Sequence, residues 1–141
     1  MLNTILVALD DSGIAERVME TLENLKISPN AQVILCHVFP SSDSTELPAD
    51  RPHADSPKLS YFQVEKQLQT YQQKLAVESQ LELVSGDPAD EIIRLANIYK
   101  ADLVVIGNRG LTGIKKIVLR SVSTQVMEEA HCSVLVVKSH G

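Results

Sequence analysis

The chain carries little of what covalent, redox or membrane chemistry needs. Among its 141 residues there are two cysteines, Cys36 inside one apolar run and Cys132 just before another, with no CxxC spacing and no histidine cluster beside them. That excludes a disulfide scaffold and a zinc or redox motif, and predicts two buried, reduced thiols. No apolar run approaches the ~18 residues that a membrane-spanning helix requires. The opening residues, Met1 to Asp11, lack the basic region and cleavage site of a secretory signal, so a cytoplasmic chain without a membrane role is expected. Basic residues are the minority, 13 against 18 acidic, for a net charge of −5. A chain so balanced has no broad basic face for nucleic acid. There is also no internal repeat, and no Ser/His/Asp or paired-carboxylate pattern with an attendant base, which argues against hydrolytic or acid–base catalysis.

What is present is an alternation. Hydrophobic residues make up 44% and charged residues 22%, the balance of a globular chain, and the length suits one domain over residues 1–141. Thr4 to Leu9 is a near-continuous apolar run, as expected of a parallel strand covered on both faces. It breaks at Asp10-Asp11-Ser12-Gly13, where Asp11 or Ser12 can cap a helix whose apolar face is Ile14, Val18, Leu22 and Leu25. Pro29-Asn30 should close that helix, and Gln32 to Val38 reads as the second strand. From Phe39 to Lys58 four prolines and few large apolar side chains predict a mobile loop, about residues 40–57. Tyr61, Val64, Leu68, Tyr71 and Leu75 then recur at helical spacing. Leu81 to Val84 is a short strand. Asp87 and Pro88 stand as cap and first residue of a helix that buries Ile92, Ile93, Leu95, Ala96 and Tyr99. Leu103 to Ile106 and Val134 to Val137 are the last two strands. Five strands alternating with four helices predict a Rossmann-like α/β fold, an open parallel sheet with helices on both faces; the strand order expected is 3-2-1-4-5.

Between the last two strands lies the most distinctive stretch. Three of the six glycines, Gly107, Gly110 and Gly113, fall within seven positions, accompanied by Arg109, Lys115, Lys116 and Arg120. No acidic residue occurs from 107 to 127. A helix is expected to follow, with Val122, Val126 and Ala130 on one face. Strand, glycine-rich loop and helix start together suit an anion, because the first N–H groups of a helix lack partners and carry the positive end of its dipole. In an open parallel sheet a ligand sits beyond the carboxyl ends of the strands where strand order reverses, here strands one and four, which end at Asp10 and Gly107.

One assignment compatible with Asp10-Asp11 is a phosphoacceptor domain holding Mg²⁺. It needs an aspartate at the end of the third strand, where this chain has Val84-Ser85-Gly86. The second assignment is nucleotide binding, and here the chain resembles the universal stress proteins of the adenine-nucleotide-binding branch. The resemblance runs from Ile5 to Val137. It rests on Gly107, Gly110 and Ser121 at matching spacing, on Val122-Ser123-Thr124, Val126, Ala130 and Cys132, and on Ile5 to Asp10 with Ser12 and His37-Val38. It implies that Asp10 bonds the ribose with Ala8 and Leu9 beside the adenine, and that Val38 and Ile106 pack on the base. Gly107, Arg109 and Gly110 would pass around ribose and phosphates, and Ser121, Val122 and Ser123 would hold the phosphates at the helix start. The implied ligand is ATP or AMP, with or without Mg²⁺. The implied role is a stress-response regulator or sensor, with slow ATP hydrolysis at most. Its partners would be a second copy joined through the last strand and an unidentified protein. The competing expectation is a family member without nucleotide, acting as an interaction dimer. Two positions depart from the pattern: Arg120 replaces its third glycine and Ser133 the usual proline before the last strand. Arg120 beside Ser121 is expected to grip phosphate through its guanidinium.

Overall fold

The central strand shows most directly why the apolar runs are continuous. In the computed structural model, which describes residues 2–9, 14–40, 57–108 and 122–138, β1 (Leu2–Ala8) lies in the middle of the sheet. Its Ile5, Leu6 and Val7 are fully buried although they point alternately to opposite faces. Each such side chain contributes about 1.5–3 kcal/mol relative to an exposed one. The other elements follow as α1 (Ile14–Glu23), β2 (Ile27–Pro40), α2 (Pro57–Gln73), β3 (Glu78–Gly86), α3 (Pro88–Tyr99), β4 (Leu103–Asn108), α4 (Val122–Glu129) and β5 (Ser133–Lys138). All pairings are parallel, as the alternation predicts, and the strand order is β3-β2-β1-β4-β5, as expected.

Two apolar layers sandwich the sheet. On one face Ile5, Val7, Val33, Leu35 and Val105 meet Val18 and Leu22 of α1 and Leu68 of α2. On the other, Leu6, Ile34, Cys36, Val104 and Ile106 meet Ile92 and Leu95 of α3 and Val126 of α4. Polar ties close the ends. The Asp87 carboxylate accepts from Asp90 N–H at 3.1 Å, capping α3 with Pro88 in its first turn as expected. Asp102 accepts from the N–H groups of Asn3 and Thr4 at 3.0 and 2.9 Å, anchoring the start of β1 beside β4. Tyr71 donates to Glu16 at 3.0 Å, joining α2 to α1.

The boundaries differ from the sequence reading in several places. The first helix ends at Glu23, where Asn24 N–H turns back to the Thr21 carbonyl at 3.0 Å, yet Leu25 still packs on the core. Pro29-Asn30 lies inside β2 and does not break the chain before it. Leu2 pairs with Ile27 but Thr4 with Gln32, so the register shift leaves the residues between 27 and 32 outside the ladder, where a proline costs no ladder bond. At its other end β2 takes in Phe39 and Pro40, and β3 runs from Glu78 to Gly86. The predicted mobile loop also loses Pro57 and Lys58 to the start of α2, and its residues 41–56 lie outside the described residues.

Candidate functional site

At the carboxyl end of the sheet, Ala8 of β1 pairs in register with Cys36 of β2 and with Ile106 of β4. Ala8, Val38 and Val122 all pack against the layer that contains Ile106 and Val126. Four of the sequence-derived site residues therefore share one face. Val122 opens α4, and Ser123, 4% exposed, lies in its first turn. Cys36, beneath this cluster, is a bystander. Burial, and secondarily the charge of Glu82, push its thiol up to about 12, so it stays protonated and packs as a small apolar group. Cys132 is only partly buried, against the expectation of two buried thiols.

Two expected site residues stand differently. The Leu9 side chain is 4% exposed and belongs to the opposite layer, with α1 and α2, so only its backbone is available on the Ala8 side. Gly107 likewise faces α1. A Cβ there would lie 2.8 Å from Ile14 Cγ1 and 3.2 Å from Val18 Cγ2. Close approach of α1 to β4 thus accounts for this glycine without a ligand, a reason that no local pattern displays. Asp10, Arg109, Gly110, Arg120 and Ser121 lie outside the described residues.

Sequence reasoning gave no role to His37. Its ring is 8% exposed, and Nδ1 lies 2.8 Å from the Leu9 carbonyl. A carbonyl only accepts, so Nδ1 carries the proton. Together with Leu9 N–H donating to the Cys36 carbonyl at 2.9 Å, this bond fixes the end of β1 against β2. The one available signal was a histidine on the inward side of a buried strand. Among the described residues no group of three or more His, Cys, Asp and Glu side chains could hold a metal ion. Among the same residues no helix is long and apolar enough to cross a membrane.

The profile of the universal stress protein family matches residues 1–138. The chain belongs to this family. A universal stress protein of Methanocaldococcus jannaschii is 31% identical over 137 residues, covering 95% of this chain and 81% of the relative. The solved structure of another protein of that organism superimposes with a TM-score of 0.80 at 25% identity, over 99% of this chain and 97% of the other. Two family members solved as complexes share the fold. One, with cAMP, gives a TM-score of 0.70 at 24% identity over 97% of each chain. The other, from Archaeoglobus fulgidus with dAMP, gives 0.64 at 21% over 96% of this chain and 98% of that one. The fold read from the alternation is that of the family.

Proposed function

We propose that this universal stress protein binds an adenine nucleotide, ATP or AMP, beyond the carboxyl ends of β1 and β4, and acts as a stress-response regulator or sensor. The observation that carries the reading is the shared face of Ala8, Val38, Ile106 and Val122 at the point where strand order reverses, with the start of α4 beside it. An apolar floor suits a purine, and the positive end of a helix dipole suits a phosphate. Family members in complex with cAMP and dAMP support the same ligand class. In this reading Ala8 and the Leu9 backbone lie beside the base, Val38 and Ile106 beneath it, and Asp10 bonds the ribose. Gly107, Arg109 and Gly110 pass around ribose and phosphates, which Arg120, Ser121, Val122 and Ser123 hold. Mg²⁺ would enter only with the phosphates of ATP. The protein binds and signals, and hydrolysis is slow at most.

The packing reason for Gly107 favours a second reading, in which the glycine is kept for the fold and the protein is an interaction dimer without ligand. Dimerisation belongs to both. Of the two edge strands, β3 interleaves Glu78, Gln80 and Glu82, whereas β5 presents Val134 to Val137 with no polar interruption. An edge without such guards favours pairing with its symmetry mate. Mass spectrometry of gently purified protein separates the readings: a co-purifying adenine nucleotide is expected, and protein free of nucleotide that also takes up neither ATP nor AMP at millimolar concentration contradicts the first.

A further inference from the structure

We infer that His37 is a positioning residue for the nucleotide site, a clamp that holds the carboxyl end of β1 through the Leu9 carbonyl. The inference rests on the nucleotide reading above. The same side of β2 carries Val33 and Leu35, both fully buried, so an aliphatic side chain would serve the core at position 37 as well. A buried imidazole is costly unless it is hydrogen-bonded, and the partner here is main chain at the residue just after β1. Beyond Ala8 the regular strand has ended, and the imidazole holds the Leu9 carbonyl there with a side-chain bond. Leu9 and Ala8 are the residues proposed to lie along the base.

The clamp is itself held. The His37 ring meets Phe39 edge-on, with centroids 4.6 Å apart and planes at 68°. Phe39 stacks on Tyr61 of α2 at 5.7 Å and 22°. A side chain whose orientation is fixed by packing places its hydrogen bond more narrowly than one free to rotate, which is what a positioning group requires. The aromatic series runs from α2 through β2 to the end of β1, on the face opposite Ala8, Val38 and Ile106, so His37 acts on the site only through the backbone.

Calorimetric titration of AMP and ATP into wild type, His37→Leu and His37→Asn tests this, with amide hydrogen exchange at Ala8 and Leu9 measured on the same proteins. The Asn amide nitrogen can occupy the place of Nδ1, whereas Leu keeps only volume. The leucine variant is expected to fold, to bind either nucleotide at least about fivefold more weakly, as loss of one hydrogen bond allows, and to exchange faster at Leu9. The asparagine variant is expected within about twofold of wild type on both readouts, given the same bond energetics. Leucine-variant affinity and exchange equal to wild type would overturn the clamp, as would an asparagine variant as weak as leucine. A wild type that binds neither nucleotide overturns the nucleotide reading instead, and exchange at Leu9 then still shows whether the bond holds the strand end.

Discussion

Gly107 has a packing role of its own, beside the ligand role proposed for it. Because a Cβ would press on Ile14 and Val18, Gly107→Ala should destabilise the fold by about 1–3 kcal/mol, the range for overpacked cores. Urea unfolding measures it, and adding Ile14→Ala should make the double variant lose less than the sum of the two single losses. Full additivity would show that the two positions do not meet. A second residue-scale prediction concerns protons. Glu82 accepts a hydrogen bond from Tyr99; that bond first, then burial and the carboxylate's charge, raise the phenol from 10.0 to about 12. The Cys36 thiol rises from 9.0 to about 12. The unfolded chain gives up both protons at lower pH than the native one, so stability is retained below pH 9 and falls as pH rises toward 12. Urea midpoints taken between pH 8 and 11.5 should decline, and Tyr99→Phe should flatten the decline above pH 10; an unchanged slope contradicts the role given to Tyr99. Arg120 departs from the family pattern, and as a phosphate grip its replacement by glycine should weaken ATP binding by roughly 1–3 kcal/mol. Tighter ATP binding by that variant would make Arg120 a block on the phosphates.

At the scale of elements, the strands and helices were legible because burial on both faces writes an uninterrupted apolar run, and burial on one writes helical spacing. Alternation and crossover hand predict a parallel sheet covered on both faces, but they do not set the strand order, since other orders satisfy both. Boundaries were less legible where tertiary structure overrides a local signal. Pro29-Asn30 looks like a break, but the register shift beside Leu2 takes it outside the ladder. Glu78 to Gln80 looks like connection, but an edge strand pairs on one side only and tolerates Glu78, Gln80 and Glu82. The site divides in the same way. That Ala8, Val38, Ile106 and Val122 stand at strand ends and at a helix start was readable from the order of elements, while their assignment to a nucleotide came from the family resemblance. The packing of Gly107 on Ile14 and the His37 bond to Leu9 were not readable, since each joins residues far apart in sequence. The composition between β2 and α2 still predicts a segment dispensable for folding. Limited proteolysis should cut first between residues 41 and 56 and leave the remainder folded, and cleavage elsewhere with this segment spared would contradict that.

For the whole molecule, two properties are proposed to act together, an edge that pairs and a crevice that binds. Light scattering at roughly tens of micromolar, a range in which such interfaces hold, should return about twice the 15.5 kDa chain mass. A monomer there would remove β5 as the dimer edge. The central claim is the location of the nucleotide, and backbone amide NMR of uniformly labelled protein titrated with AMP tests it most directly. The account predicts saturable shifts at Ala8, Leu9, Val38, Gly107, Val122 and Ser123, with Glu78 to Gln80 and Lys100 unmoved. Saturation with shifts confined to the opposite, amino-terminal end of the sheet, or no shifts at millimolar AMP and ATP, would contradict it.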